Sequence, residues 1–235
     1  MSAVAAGTRY RSFADILARV GHVPPERILP HPEPGTATPE DAFDPKIVGD
    51  RGVEVVGGVL VEKTLGVYDE YIASRLLGLL LTFMHEHNLG AVTGSQGGYW
   101  FASDTMRMPD VSVVLWESLD DPNDIEERGE AFLRTAPDLV VEVLSPSNTA
   151  REMEIKLGDY AKAGVQLVWY VDPDRKEVVV YPKARTRARV TLTVGDTLTG
   201  DPVLPGFTLS VAKLFEKRAP AARKGGKSPK KPKKG

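Results

Sequence analysis

Residues 137–145 read PDLVVEVLS and predict a buried strand. The run from Leu139 to Leu144 is apolar except for Glu142, which is typical of a strand buried on both faces. A lone carboxylate in such a strand is costly unless a cation, a metal ion or a network of donors pairs with it. Glu142 is therefore the first candidate site residue. The alternative is a glutamate that faces solvent from the edge of a sheet.

The residues that follow, 145–165, read SPSNTAREMEIKLGDYAKAGV and predict a loop that opens into a helix. Thr149 with Glu152 three residues later fits a capping box, and Gly164 fits the end of the helix. A buried strand followed by a helix and then by QLVWYVDP, a further strand, indicates a mixed sheet flanked by helices, an α/β (α+β) fold.

Lys156 lies on the flank of the apolar face of this predicted helix. From there a lysine can bury its stem and aim its ammonium group at the sheet. The alternative is a surface ion pair with Glu152 at i,i+4 spacing. Ile155 falls on the opposite face and is expected to be exposed, which leaves open a contact between two copies of the chain in a homodimer.

Asp110 stands at the start of a second apolar strand, in MPDVSVV at residues 108–114. Pro109 removes a backbone donor and forces an extended approach, so a metal ligand at Asp110 could project from the mouth of the strand. The alternative is an ordinary aspartate in the turn before a strand. Two carboxylates can hold Mg²⁺ or Mn²⁺, which lowers the pKa of a bound water and stabilises a phosphoryl transition state. Asp110, Glu142 and Lys156 together indicate metal-assisted phosphodiester hydrolysis.

The bulk composition excludes several classes of protein. The 235 residues include no cysteine, which excludes disulfides and thiolate metal sites and favours a reducing cytoplasm. The first residues lack the basic segment and apolar run of a secretory signal. The longest strongly apolar stretch, residues 76–84, is too short to span a bilayer, so we expect no membrane partner.

Charge is distributed unevenly along the chain. Residues 217–235 carry nine of the 30 Lys and Arg residues, while all 32 acidic residues precede them, so the body carries about −11. A basic tail can hold phosphates by releasing counterions, which makes DNA a candidate partner. A disordered solubilising tail, or one that folds back onto the acidic body, explains the same composition.

The pattern along the chain predicts three regions: an N-terminal helix with a Pro-rich arm at 1–47, a single domain at 48–216, and a disordered basic tail at 217–235. Within the domain, VEVVGGVLVEK at 53–63 predicts a hairpin, and apolar spacing predicts a long helix at 67–88. We expect one strand at 91–101, with a glycine-rich centre, and a hairpin at 188–198.

Five blocks in this order resemble the Uma-two family of restriction endonucleases, in the PD-(D/E)XK nuclease superfamily. The blocks are the hairpin at 53–63, PDVSVV, PDLVVEVLSPSN with the helix that carries Lys156 and Tyr160, the strands AGVQLVWYVDP and VVVYP, and LPGFTLSVAKLF. The resemblance implies a restriction endonuclease-like core and a divalent-metal site. By position, Asp110 is the acid of the PD motif and Glu142 is its (D/E) acid.

The resemblance also implies roles for two further residues. Leu144 stands where the superfamily has a strand lysine, and the family supplies its lysine from the next helix, which matches Lys156. Glu54 matches an early hairpin glutamate grouped with the site, although a strand glutamate facing solvent is the alternative. Many family members have a histidine near the start of the first long helix. This chain has Tyr68 and Asp69 there, so no role of that histidine is carried over.

Two functional hypotheses remain open. The first is a Mg²⁺- or Mn²⁺-dependent DNA endonuclease, and the second is a nuclease-fold binding or interaction module without turnover. Gln96, amid glycines, could orient water or a phosphate, or serve as a structural loop amide. The four histidines do not suggest a zinc site. A different hydrolase finds little support, because neither a Gly-x-Ser-x-Gly nor a phosphate-loop signature is present.

Overall fold

The computed structural model describes residues 9–64, 66–121, 123–126 and 131–217. In these ranges the chain forms six α-helices: α1 (Phe13–Arg19), α2 (Pro45–Val48), α3 (Val67–His87), α4 (Asn123–Glu126), α5 (Ala150–Ala163) and α6 (Val211–Phe215). It also forms thirteen strands: β1 (Val53–Val56), β2 (Leu60–Glu62), β3 (Gly90–Gly94), β4 (Gly98–Ala102), β5 (Thr105–Arg107), β6 (Val111–Leu115), β7 (Phe132–Leu133), β8 (Leu139–Val143), β9 (Leu167–Asp172), β10 (Glu177–Pro182), β11 (Val190–Leu192), β12 (Thr197–Gly200) and β13 (Leu204–Ser210).

Strand β8 lies inside a six-stranded sheet with the order β11-β10-β9-β8-β6-β3. It pairs in parallel with β9, and α5 makes the crossover between them, while the other neighbours in this sheet are antiparallel. A strand with neighbours on both edges and cover on both faces has no contact with water. The apolar sequence of β8 follows from this position.

Alternation along β8 sends its side chains to two different faces of the sheet. Val141 joins a core formed with α3, α6 and the β12–β13 hairpin, with Leu76 and Trp169 among its members. Val140 joins the core on the other face, beneath α5. Glu142 is two residues from Val140, so the carboxylate also points towards α5.

A second sheet has the order β2-β1-β5-β4-β7 and begins with the predicted hairpin at Gly57 and Gly58. The N-terminal segment covers this sheet. Its buried residues pack with those of β1, β2 and β5 in one cluster: Leu29, Ala37, Ala42, Val48, Val53, Val55, Leu60 and Met106. The N-terminal segment, predicted as a Pro-rich arm, therefore contributes buried residues to the core of the domain.

The N-terminal segment also covers α5. Ile155 is half-buried and packs against a cluster that includes Val20, Val23 and Val56. The expectation that Ile155 is exposed is wrong, because the N-terminal segment packs on the side of α5 opposite its apolar face. Ile155 therefore gives no support for a homodimer.

Most of the predicted elements are confirmed, and two are wrong. The single strand expected at 91–101 is two strands, since β3 pairs with β6 in the large sheet and β4 pairs with β5 in the second sheet. A tight turn, closed by the Gly97 N–H donating to the Gly94 carbonyl at 2.9 Å, carries the chain from one sheet to the other. The predicted mixed sheet flanked by helices is confirmed.

The hairpin expected at 188–198 does not form. A turn at Thr193 and Asp196 is present, but β11 pairs with β10 and β12 pairs with β13. The turn therefore connects strands of two different sheets. The basic tail predicted at 217–235 lies, except for Lys217, outside the described residues. Within the part of the chain that is described, no helix combines the length and apolar character needed to cross a membrane.

Candidate active site

Glu142 is buried on β8 and paired with a cation. The residue is 3% exposed, and the Lys156 ammonium donates to both carboxylate oxygens at 3.1 Å. The Tyr160 hydroxyl donates to Oε1 of the same carboxylate. Burial raises the pKa of Glu142, and the nearby negative charge of Asp110 adds to that increase, while Lys156 opposes it. The alternative of a solvent-facing glutamate is wrong.

Lys156 extends from α5 to the sheet, as predicted, and joins two carboxylates. Besides Glu142, its Nζ lies 3.1 Å from Glu54 Oε1. Burial alone would lower the pKa of Lys156, but Glu142 and Glu54 together raise it. The alternative pair with Glu152 does not form, because Arg27 binds Glu152 through two hydrogen bonds of 2.8 and 3.1 Å.

Glu54 projects from β1 and is 2% exposed, so it does not face solvent. Arg107 Nη1 donates to its Oε2 at 2.9 Å, and the Met108 backbone N–H donates to its Oε1 at 3.1 Å. Burial would raise the pKa of Glu54, but the charges of Lys156 and Arg107 lower it to about 2. Arg107 continues the network to Asp159 on α5, with Nη2 and Oδ2 2.6 Å apart.

Asp110 stands just before β6 and accepts two hydrogen bonds. The Val143 backbone N–H donates to Oδ2 at 2.7 Å, and the Lys63 ammonium donates to Oδ1 at 2.9 Å. Strands β6 and β8 pair Val111 with Val141, so one further step of this register sets Asp110 opposite Glu142. The aspartate is 3% exposed, unlike an ordinary residue of a surface turn.

The four residues predicted for the site belong to a buried charge network made of two groups of ion pairs. Lys156 joins Glu54 to Glu142 and Arg107 joins Glu54 to Asp159, while Asp110 pairs separately with Lys63. With all seven side chains ionised, the four carboxylates exceed the three cations, so the network carries one net negative charge. A buried excess charge is costly unless a proton or a further cation balances it.

The donor set fits a hard dication. Asp110 and Glu142 supply carboxylate oxygens from adjacent strands, which is the ligand type that Mg²⁺ prefers. Among the described residues, no group of three or more His, Asp or Glu side chains is arranged to hold a metal ion. Mg²⁺ sites with two carboxylates complete their coordination with water and phosphate oxygens, so two protein ligands are compatible with such a site.

A cavity of about 300 Å³ opens beside Asp110, between α3 and the turn that joins β3 to β4. Gln96 lines it from the turn and is exposed, so its amide is accessible to solvent. A larger cavity of about 550 Å³ lies on the α5 side, next to Met153 and Tyr170, and includes none of the four predicted site residues. Of these two cavities, the smaller is the one that reaches a predicted site residue, Asp110.

Three members of the network, Lys63, Arg107 and Asp159, are not predicted from the sequence. Arg107 carried the signal that singled out Glu142, since it is a lone charge between two methionines before a buried strand. Lys63 is the last residue of the predicted hairpin, and nothing in its local sequence distinguishes it from a surface lysine. Tyr160 is not among the predicted site residues either, although its hydroxyl contacts Glu142.

Comparison with known proteins agrees with this architecture. The Uma2 family model, described as "Putative restriction endonuclease", matches residues 49–212. A crystal structure described as a putative nuclease belonging to DUF820, from Anabaena variabilis, superposes with a TM-score of 0.60 at 21% identity. The match covers 70% of this chain and 90% of that chain, and at this identity it shows the fold alone. Among curated proteins, none matches the chain significantly.

Proposed function

The chain belongs to the Uma2 family, and from this premise we propose that it is a divalent-metal-dependent endonuclease that hydrolyses phosphodiester bonds of DNA. We assign Asp110 and Glu142 as the ligands of Mg²⁺ or Mn²⁺, and Lys156 as the basic group of the site. The family and the fold support the nuclease class. The metal, the DNA substrate and the role of each residue are our proposals.

One observation carries the proposal: Asp110 and Glu142 come from adjacent strands into a buried network with an excess of negative charge. Burying carboxylates near each other lowers the stability of a fold. Such clusters are therefore often found where a function requires them. Burial is the main cause of the raised pKa of Glu142, and the negative charge of Asp110 adds to the increase, while Lys156 opposes it. A bound dication would offset the excess negative charge of the network.

A bound Mg²⁺ or Mn²⁺ would lower the pKa of a water bound to it. Its positive charge would also stabilise the phosphoryl transition state. The chain's own residues would orient the reacting groups. Lys156, held by two carboxylates, provides a fixed ammonium group that can stabilise developing negative charge on a phosphate. Glu54 forms ion pairs with both Lys156 and Arg107, so we assign it as a positioning residue.

The substrate would approach through the cavity beside Asp110, since the cavity is open to solvent and Gln96 is exposed at its rim. The acidic body of the chain disfavours tight, nonspecific binding of a duplex. We therefore expect cleavage to depend on local interactions near the site and to weaken as salt concentration rises.

A binding module without turnover is the second candidate. The observation that favours it is that each proposed ligand is already paired with an ammonium group, Asp110 with Lys63 and Glu142 with Lys156. A site neutralised in this way can persist for structural reasons. On this reading the protein binds nucleic acid but does not cut it.

A cleavage assay separates the two candidates. Supercoiled plasmid and single-stranded DNA are incubated with Mg²⁺ or Mn²⁺, using wild type, Asp110→Ala, Glu142→Ala and the control Glu154→Ala. Glu154 lies on α5 with its side chain 62% exposed, so its loss leaves the buried network intact. We expect cutting by wild type and the control only, and none with EDTA. Binding without cutting favours the module, and cutting that survives Glu142→Ala contradicts the site.

A further inference from the structure

The Lys63 ammonium group lies beside the oxygen of Asp110 that would bind a metal ion. Its ammonium group is 2.9 Å from Asp110 Oδ1 and also donates to the Met108 carbonyl. The other oxygen of Asp110, Oδ2, is held by the Val143 backbone N–H at 2.7 Å. That backbone bond fixes the orientation of the carboxylate, so Oδ1 is the oxygen available to a dication, and Lys63 covers it.

An ammonium group and a hard dication compete for the same carboxylate oxygen. Mg²⁺ binds oxygen at about 2.1 Å, which leaves no room for an ammonium hydrogen bond along the same direction. Two positive charges at one buried oxygen also repel each other strongly. Occupation of Asp110 by a dication therefore requires Lys63 to move.

The two lysines of the network differ in how firmly they are held. Lys156 pairs with two carboxylates, Glu54 and Glu142, and its side chain is 4% exposed. Lys63 pairs with one carboxylate and one carbonyl, and its side chain is 10% exposed, next to the exposed Thr64. A lysine has a flexible stem and a strongly hydrated head, so the more weakly held one can withdraw to solvent.

We propose that Lys63 is an exchangeable counterion, which holds Asp110 in the metal-free protein and is displaced when a divalent cation binds. The inference rests on the proposed function, because it assumes that Asp110 is a metal ligand. On this proposal, Lys63 sets the affinity of the site for a divalent cation. Lys63 keeps the buried aspartate paired until the cation arrives, and metal binding must overcome that pairing.

The test measures Mn²⁺ binding by full-length protein without DNA, using the electron paramagnetic resonance signal of free Mn²⁺. The proteins are wild type, Lys63→Gln, Lys63→Arg and the control Lys162→Gln, an exposed lysine of α5. We expect the Kd of Lys63→Gln to fall at least about tenfold, because a competing positive charge is gone. Lys63→Arg, which keeps the charge, and Lys162→Gln should bind no more tightly than wild type.

Thermal unfolding gives a second readout. In EDTA, Lys63→Gln should melt below wild type, since Asp110 loses its partner, and Mn²⁺ should raise its melting temperature by more than it raises that of wild type. Lys63→Met, which retains the apolar stem, replaces Lys63→Gln if the latter does not fold.

Unchanged or weaker Mn²⁺ binding by Lys63→Gln overturns the inference, and so does equal tightening by Lys63→Arg. Asp110→Asn separates this failure from a failure of the proposed function. If wild type binds Mn²⁺ and Asp110→Asn does not, the metal site stands even when Lys63 plays no part. If neither wild type nor Lys63→Gln binds Mn²⁺, both proposals fall.

Discussion

Glu54 Oε1 and Lys156 Nζ lie 3.1 Å apart in a buried ion pair that joins the first hairpin to helix α5. The two residues are about a hundred positions apart in the chain. The pair links the second sheet to the helix that covers the large sheet, at the place where Glu142 emerges from β8. The candidate site is therefore formed only when both sheets and α5 have come together.

Two buried glutamates in this network should respond to neutralisation in opposite ways. The pKa of Glu54 is lowered to about 2, so its charged form is favoured, and Glu54→Gln should cost about 3–5 kcal/mol of unfolding free energy. The pKa of Glu142 is raised, mainly by burial, so Glu142→Gln should cost less than about 1 kcal/mol or stabilise the protein. Urea unfolding in EDTA measures both, and equal losses would contradict the assigned charges.

Acid should remove the contribution of Glu54. Its folded pKa of about 2 lies below its ordinary value of 4.5, so the stabilisation is complete above pH 4.5 and is lost as the pH falls towards 2. The linkage over that window amounts to about 3 kcal/mol. We expect the difference in unfolding free energy between wild type and Glu54→Gln to shrink by about 3 kcal/mol as the pH falls from 4.5 towards 2. A difference that stays constant with pH would show that the carboxylate is not held in its charged form.

Arg27 should anchor the N-terminal segment to α5. It forms a buried two-bond pair with Glu152 and also donates to the Glu62 carbonyl at 2.8 Å. Arg27→Ala leaves Glu152 charged and buried, so we expect a loss of about 3–5 kcal/mol in chemical denaturation.

The matched control for Arg27 is Arg151→Ala. Arg151 pairs with Glu154 on the same helix, but both side chains are more than 60% exposed. Such pairs contribute little, and the loss should stay within about 0.5 kcal/mol. Similar losses for the two arginine variants would mean that the N-terminal segment does not stabilise α5.

Local patterns predicted the parts of the fold that depend on neighbouring residues. The capping box at Thr149 and Glu152, the helix end at Gly164 and the buried strand around Glu142 all form as expected. Each depends on hydrogen bonds or alternation within a few residues. For the same reason, a lone charge in an apolar strand correctly indicated a buried, paired side chain.

The errors arose where sheet membership decides the structure. Residues 91–101 show continuous strand propensity, and no local signal assigns their two halves to different sheets. Likewise, the turn at 193–196 looks like that of a hairpin, but β11 and β12 find partners elsewhere. Strand pairing depends on long-range packing, which the amino-acid pattern of a short segment does not contain.

The network around the site was predicted only in part, because its contacts span long distances in the chain. Lys63 meets Asp110 across 47 positions, and Arg107 meets Asp159 across 52. A sequence pattern singles out residues that are unusual in their own strand or helix, as Glu142 is. It does not identify the partner that the fold brings to them.

We propose that Asp110 and Glu142 hold one divalent cation between them. A crystal structure of the protein soaked in Mn²⁺, with the anomalous signal of the metal recorded, would locate this cation. We predict a single peak within about 2.2 Å of an oxygen of each carboxylate, with the Lys63 ammonium withdrawn from Asp110. No peak at that position, with both carboxylates still bound to their lysines, would contradict the claim.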